Sequence, residues 1–344
     1  MSILNRARFV VVAASLLAGV ASADDPHLEK WLAAGKGITA VEATFVVKRW
    51  RPETRTLNFP PPRYHICYDL ATGRWQATVE GMATRVLDDG TRKAVRHVGH
   101  YGVAGGISWD GSQNENGSNY FQIAVRGQKG NGIGSNPLVS NAGYGKLERC
   151  LFAPHALQLR GALDHGIPLQ EIQEALTLQS DKPSKATPGA RELVYIAKHG
   201  KQTGTIRHRV DFSDGVRGYE TTAMIDGKVA EKTTCTDFKK IDGRWIAMKT
   251  IQYTANPWEK VYKQTGGSTV VIKEIKLNKS CDPDNIYFPV AIGDQVRFTP
   301  GEPSVLVEDM VEFHARFKAF VAENAVAEEK EGEAAAKPAP APKK

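Results

Sequence analysis

Alternation of apolar and polar residues dominates the sequence and predicts a protein built mainly from β-strands. In segment 40–50, Phe45 and Val47 fall on one face of a strand, while Glu42 and Lys48 fall on the other. The same two-residue period recurs in eleven further segments, five between residues 63 and 127 and six between residues 192 and 278. They span residues 63–70, 74–81, 92–98, 106–113, 119–127, 192–199, 203–213, 218–227, 228–243, 244–254 and 268–278.

Asp-Gly pairs mark reversals between the predicted strands. Asp226-Gly227 and Asp242-Gly243 lie between strand-like segments and are typical of hairpin turns, and Asp110-Gly111 carries the same turn signal. Strands that follow one another through short turns do not form the strand–helix–strand units of a parallel sheet. We therefore predict a mainly β (α+β) fold, a large curved antiparallel sheet or half-open β-barrel covered by helices.

Three segments replace this alternation with helical spacing. Leu28, Trp31 and Leu32 predict a short helix, and a helical insertion is predicted around 147–178. Segment 301–322 is predicted to be an amphipathic helix that packs on the sheet, with a membrane-surface or partner-binding helix as the alternative. Its apolar stripe consists of Leu306, Met310, Phe313, Phe317 and Phe320.

The two ends of the sequence carry targeting and low-complexity signals. Residues 1–23 combine two arginines, an apolar stretch and a small-x-small site, so we predict a signal peptide cleaved after Ala23. This indicates a periplasmic or secreted protein, and no second apolar run is long enough for a transmembrane helix. The main domain is predicted to span 24–300, and the tail 323–344, rich in Ala, Pro, Lys and Glu, is predicted to be disordered.

Charge and cysteine content exclude few classes of partner or binding site. The net charge of +7 is spread over the strand-like segments without a basic block, so we expect no nucleic-acid partner. Cys67, Cys150, Cys235 and Cys281 are far apart in sequence, which argues against a zinc site. Disulfides in any of three pairings and free buried thiols remain equally open interpretations.

No motif in the sequence indicates a catalytic site. His97 and His100 form an isolated pair without a nearby carboxylate, and Glu171 and Glu174 fit an ordinary solvated helix surface. Phosphate-binding loops, nucleophile elbows and metalloprotease motifs are absent from the sequence. We therefore expect a non-catalytic protein without a metal or cofactor.

Two segments in the second half carry motifs of a known family. In 235–254, Asp242, Gly243 and Trp245 fit a strand–turn–strand pattern, although Ala247 stands where the pattern has proline. Segment 270–298 fits a closing pattern at Asn278, Asp284, Phe288, Pro289, Gly293 and Val296. With these motifs, the chain resembles the LolA-like outer-membrane lipoprotein-sorting and carrier superfamily from Asp24 to Phe298, as a divergent member.

This resemblance implies a half-open barrel whose concave apolar interior shields acyl chains, with no shared catalytic residues. A strand face rich in large apolar residues that helices cover only partly would leave such an apolar cleft, whereas complete cover would leave a filled core. The candidate cavity residues are Phe45, Val47, Ile66, Tyr68, Trp75 and Trp245.

The leading hypothesis is a soluble envelope protein that binds or carries a lipid or the acyl chain of a lipoprotein. It would meet an outer-membrane or other envelope protein as partner. The alternative is a sensor or scaffold module of the same fold that acts by protein–protein contact. Ranked below both is a secreted hydrolase whose site would include His97, His100 or His155.

Overall fold

A computed structural model shows a mainly β protein, as the sequence predicts. Fifteen strands form a large, mainly antiparallel sheet, in which only the pair β6–β14 is parallel among the described residues. The structure describes residues 25–35, 37–50, 60–69, 74–86, 89–104, 107–113, 117–125, 147, 150, 151, 171, 176–199, 202–256, 263–279, 290–298, 302–320 and 322.

The elements follow one another along the chain with few helices among the described residues. They are α1 (Leu28–Gly35), β1 (Ala40–Trp50), β2 (Arg63–Asp69), β3 (Trp75–Val86), β4 (Arg92–Ala104), β5 (Ile107–Gln113), β6 (Asn119–Val125), β7 (Leu176–Pro183), β8 (Arg191–His199), β9 (Gln202–Asp211), β10 (Arg217–Ile225), β11 (Lys228–Ile241), β12 (Arg244–Asn256), β13 (Lys263–Leu277), β14 (Gln295–Arg297), β15 (Val305–Leu306) and α2 (310–320). Isolated helical residues lie at 147, 150, 151 and 171.

The chain divides into two compact units. Unit 1 comprises Met1–Ile38, Ala43–Pro61 and Gly143–Leu277, and unit 2 comprises Thr39–Glu42, Pro62–Ala142 and Asn278–Lys344. In unit 1 the strand order runs β13-β12-β11-β10-β9-β8-β7, so each strand pairs with its neighbour in sequence. In unit 2 the order runs β15-β14-β6-β5-β4-β3-β2.

Tight Asp-Gly turns fix the register of two hairpins in unit 1. Asp226 and Gly227 have φ angles of 49° and 74°, and Asp242 and Gly243 have 47° and 75°. Positive φ at both central residues is the signature of the type I′ turn, whose twist matches that of the paired strands. The predicted hairpin turns at these two positions are confirmed, and Ile241 pairs directly with Arg244 across the second turn.

Helix α1 packs on the sheet of unit 1 through one fully buried aromatic residue. Trp31 is 1% exposed and packs with Leu193, Tyr195 and Val210 on strands β8 and β9. Leu28 and Leu32 border this cluster, which confirms the helical spacing seen in the sequence. The indole is therefore the main apolar anchor of α1.

The core of unit 2 combines strand residues with the amphipathic helix α2. Phe121, Ile123 and Val296 are completely buried and cluster with Phe298 and Phe313. The remaining α2 residues that pack against this cluster are Met310, Phe317 and Phe320. The prediction that this helix packs on the sheet is therefore confirmed.

Helix α2 begins later than the predicted 301–322 segment. Val305 and Leu306 form strand β15, and the helix begins only after Asp309. The Asp309 carboxylate accepts hydrogen bonds from the backbone N–H groups of Val311 at 2.7 Å and Glu312 at 3.0 Å. This is an N-cap, which sets the first residue of the helix more sharply than apolar spacing does.

One further element boundary and one turn differ from the sequence prediction. The helical insertion was placed around 147–178, but Leu176–Pro183 forms strand β7 and pairs with β8. Asp110-Gly111 does not turn but lies inside β5, where Gly111 pairs with Phe121. A Cβ atom at Gly111 would lie 2.3 Å from a ring carbon of Phe121, so glycine serves close packing there rather than a turn.

The Gly102→Ala substitution tests the packing of the unit 2 core. A Cβ atom at Gly102 would lie 1.9 Å from the Trp109 ring, so we expect overpacking to lower the free energy of unfolding by about 1–3 kcal/mol. Gly204→Ala is the control, because its Cβ would meet its nearest neighbour, the Met224 carbonyl oxygen, at 3.4 Å. Chemical denaturation measures both, and equal effects would contradict the packing argument.

Candidate functional site

A pocket of about 390 Å³ lies in unit 1 beside helix α1. It is bounded by α1, by the turn between β9 and β10, and by the start of β12. Its lining residues are Lys30, Ala33, Ala34, Leu151, Phe212, Gly215, Val216, Gly243, Arg244 and Trp245. Its volume lies within the range of about 300–1,000 Å³ that is common for small-molecule sites.

The indole of Trp245 forms a fixed aromatic wall of this pocket. The guanidinium carbon of Arg217 lies 3.6 Å from the indole centroid, a cation–π stack. The indole Nε1–H also donates a hydrogen bond of 2.8 Å to the backbone oxygen of Asp214. Because stacking and hydrogen bonding act together, the ring orientation is set before any ligand arrives.

Lys30 and Arg244 are the charged residues that line the pocket. Arg244 Nη1 donates to the backbone oxygen of Ala34, near the end of α1, at 3.1 Å. Lys30 Nζ lies 5.3 Å from the ring centroid of Phe212. Within the described part of the chain, neither cation forms an ion pair. The pocket therefore joins apolar walls to uncompensated positive charge.

A glycine makes room for the Arg244 guanidinium. A Cβ atom at Gly37 would lie only 2.6 Å from Arg244 Nη2, and the φ of +75° also favours glycine at this position. Partial burial lowers the pKa of the Arg244 guanidinium below its ordinary value, yet an arginine stays charged. The charge is thus held where it is less hydrated than at an open surface.

A polar network ties the start of α1 to the sheet of unit 1. His27 Nε2 lies 3.0 Å from an oxygen of Asp181, whose other oxygen accepts from Arg191 Nε. The hydroxyl of Tyr195 donates to Asp25 at 2.8 Å. The His27 ring also stacks on Phe212, a lining residue, with centroids 4.5 Å apart. The network therefore positions one wall of the pocket.

Burial dominates the electrostatics of Tyr195. The loss of solvent, together with the neighbouring Asp25 carboxylate, raises the pKa of this phenol strongly. Its hydroxyl also accepts a hydrogen bond from Trp31 Nε1 at 3.3 Å. Tyr195 is therefore a neutral phenol at physiological pH that links the α1 anchor to Asp25.

The predicted cavity residues lie in several different places. Phe45 and Val47 are completely buried in β1. Ile66 and Trp75 are buried in β2 and β3, where half-buried Tyr68 pairs with Trp75. Trp245 is the one candidate that lines the pocket described above. Sequence reasoning missed Lys30, Phe212 and Arg244, although Arg244 stands directly between the Asp-Gly turn and Trp245.

The motif residues of the closing segment have structural roles where they are described. Asn278 has a φ of 53°, and its side chain accepts a hydrogen bond from the Thr39 backbone N–H at 2.8 Å. Gly293 has a φ of 91°, and Val296 is completely buried. The segment's other motif residues, Asp284, Phe288 and Pro289, lie outside the described residues.

The cysteines adopt two different states. Cys67 is disulfide-bonded, whereas Cys150 and Cys235 are buried free thiols. The thiol of Cys150 lies 3.2 Å from the hydroxyl oxygen of Thr250. Cys281 lies outside the described residues. A single disulfide and two structural thiols thus combine the two interpretations that the sequence left open.

The histidine pair does not form a joint site. His97 and His100 are three residues apart on strand β4, so their side chains point to opposite faces. Burial lowers the pKa of His100, a shift that the Asp294 carboxylate partly offsets. Across the described segments, no group of three or more His, Cys, Asp or Glu side chains could hold a metal. His155 and Glu174 lie outside the described residues.

The targeting predictions fall largely outside the described residues. The signal peptide 1–23 and the tail 323–344 are not among them. None of the helices in the described ranges is both long and apolar enough to cross a membrane.

Comparisons with known proteins give weak structural likenesses. No protein-family model matches the sequence, and no curated protein matches it significantly. A DUF1329 family protein from Desulfovibrio piger is 10% identical with a TM-score of 0.33, over 77% of this chain and 98% of that one. A porin-like protein from Bacteroides uniformis is 8% identical with a TM-score of 0.21, over 70% and 98%. These likenesses assign no family, so the LolA-like resemblance stays a prediction.

Asp181→Asn tests the network at the start of α1. Burial alone would raise the Asp181 pKa, but hydrogen bonds from Arg191 and His27 outweigh burial and lower it. A lowered carboxylate pKa stabilises the fold above the unfolded pKa of about 3.9, and this contribution is lost as the pH falls through the folded pKa. We expect the variant to lose about 1.5–3 kcal/mol at neutral pH, and its difference from wild type to shrink below about pH 4.

Urea unfolding, followed by circular dichroism at neutral pH and below about pH 4, measures the difference in unfolding free energy between wild type and variant. Asp226→Asn is the matched control, because this exposed residue sits in a type I′ turn that accepts asparagine. A difference between wild type and Asp181→Asn that stays constant into the acid range would contradict the assignment.

Proposed function

We propose that this chain is an exported, non-catalytic envelope protein that binds the apolar part of a lipid or of an acylated protein. The observation that supports the proposal is the pocket beside α1, whose walls include Ala33, Leu151, Phe212 and Trp245. It combines aromatic and aliphatic side chains with two cations, Lys30 and Arg244, and such a mixture of apolar walls and a few polar groups is common in small-molecule sites. The predicted signal peptide would bring the protein to the compartment where such ligands are found.

Burial of an acyl chain is sufficient to drive binding at this pocket. Each methylene transferred from water contributes about 0.8 kcal/mol, so a chain of about ten methylene groups would contribute about 8 kcal/mol toward the cost of association. The fixed orientation of Trp245 lowers the entropy lost on binding, since its ring is already held by Arg217. No catalytic group is needed for this function.

A second candidate function is a module that acts by protein–protein contact. Ile292, Leu306 and Val311 in unit 2 are 67%, 49% and 79% exposed, respectively. Ile292 and Leu306 are brought near each other by the hydrogen bond from Gly293 N to the Val307 oxygen, at 2.8 Å. Exposed large apolar residues favour contact with an envelope partner. This surface is compatible with lipid carriage, in which a partner protein delivers or receives the ligand.

Ala33→Trp tests the lipid-binding proposal. Ala33 is an exposed residue of α1 that lines the pocket, so a larger side chain would fill space without entering the core. The exported protein is analysed by native mass spectrometry and by extraction with organic solvent. We expect a lipid adduct on the wild-type protein and a lower occupancy in the variant, because the loss of about two methylene contacts weakens the affinity by about tenfold.

Ala315→Trp is the matched control, because Ala315 is an exposed alanine of helix α2. This variant should carry the same adduct as the wild-type protein. The proposal is contradicted if the wild-type protein has the mass of the bare chain and keeps it after incubation with fatty acids and lysophospholipids. Equal occupancy in wild type and Ala33→Trp would show that lipid binds elsewhere.

A further inference from the structure

We infer that the ligand of this pocket carries an anionic carboxylate or phosphate group beside its aliphatic chain, held by Arg244 and Lys30. This inference rests on the proposed function and narrows it to one class of amphiphile. It is carried by the charges of the lining residues, by the hydrogen-bonding capacity left on Arg244, and by the apolar surfaces next to both cations.

The described lining residues carry charge of a single sign. Lys30 and Arg244 are the ionisable residues among those that line the pocket, and both are cations. No carboxylate lines it in the described structure. A pocket for an uncharged chain would gain nothing from two cations, because each must be partly dehydrated when a ligand covers it. An anionic group removes this cost.

Arg244 keeps most of its hydrogen-bonding capacity. A guanidinium has five N–H donors, and the described structure uses one nitrogen, Nη1, for the Ala34 oxygen. The remaining fork suits the two oxygens of a carboxylate or phosphate, which arginine binds in pairs. Gly37 lies against Nη2 of this guanidinium, where any side chain would clash with it.

Two carboxylates of unit 1 bind other cations. Asp214 accepts two hydrogen bonds from Lys240, at 2.7 and 2.8 Å. Asp181 binds Arg191 and His27, as described above. Within the described residues of unit 1, these other cations are paired with carboxylates, whereas Lys30 and Arg244 form no ion pair.

Aromatic rings line the same pocket as these cations. Phe212 lies under Lys30 Nζ, 5.3 Å from the ring centroid, and Trp245 lines the pocket together with Arg244. A ligand with its charge at Arg244 and Lys30 can therefore lay its chain against aromatic rings. The pocket thus suits the two parts of one amphiphile rather than a free anion.

The test compares ligands that share a twelve-carbon chain and differ in head group. Dodecanoate and dodecyl phosphate are the anionic probes, dodecanol is the neutral probe, and acetate and inorganic phosphate are anions without a chain. Titration calorimetry on the full exported protein gives each dissociation constant. We expect the two anionic amphiphiles to bind at least about tenfold more tightly than dodecanol, and the free anions to bind far more weakly.

Variants that remove one positive charge test which residues cause the preference for anionic ligands. Lys30→Gln and Arg244→Gln should each weaken dodecanoate binding by about tenfold more than they weaken dodecanol binding. Lys30 is exposed, so its variant stays informative even if Arg244→Gln disturbs the end of α1. Lys185→Gln is the control, because it removes one charge from an exposed turn of unit 1 away from the lining residues.

The outcomes separate the two proposals. Equal affinity for dodecanol and dodecanoate overturns the anionic head group and leaves lipid binding intact. A preference for dodecanoate that persists in both Lys30→Gln and Arg244→Gln overturns its assignment to these two residues. Absence of binding by every twelve-carbon probe overturns the proposed function and this inference together. Binding of inorganic phosphate as tightly as dodecyl phosphate would make the pocket a plain anion site and overturn its role in holding a chain.

Discussion

Helix α1 depends on the burial of Trp31, and the candidate site depends on α1. A helix of eight residues is too short to be stable in water by propensity alone, so its position must come from packing. Trp31 supplies this packing against Leu193, Tyr195 and Val210, and burial of one aromatic side chain contributes about 3 kcal/mol. If the indole did not bury, neither Lys30 nor Ala33 would stand at the pocket.

Polar contacts add direction to this apolar anchor. Hydrogen bonds of Tyr195 with Asp25 and Trp31 hold the beginning of α1, while Arg244 binds its last turn through the Ala34 oxygen. Hydrophobic burial alone is non-directional and would allow the helix to slide. The two ends of α1 are therefore held by different strands of unit 1, β8 and β12. This arrangement fixes the wall of the pocket at both ends.

Local patterns predict much of this fold because strands and turns are determined by nearby residues. The type I′ turns at Asp226-Gly227 and Asp242-Gly243 need only positive φ at two adjacent positions, and both were predictable. Asp110-Gly111 shows where the Asp-Gly turn signal fails. Gly111 lies inside a strand, and its lack of a side chain makes room for the Phe121 ring on the neighbouring strand. Distant contacts of this kind leave no local trace in one sequence.

The site was less predictable than the fold for the same reason. Alternation marked Phe45 and Val47 as inward-facing, and they are completely buried, but alternation does not distinguish a packed core from an open pocket. The cations Lys30 and Arg244 are more than two hundred residues apart in sequence and line the same pocket only through tertiary structure. Trp245 was predictable because it belongs to a motif around a turn.

The most direct test of this account is a crystal structure of the protein with dodecanoate brominated at its far end. The account predicts a bromine anomalous signal in the pocket beside Phe212 and Trp245, with the carboxylate in hydrogen-bond distance of Arg244 and Lys30. Bromine bound at another surface while this pocket stays empty would contradict it.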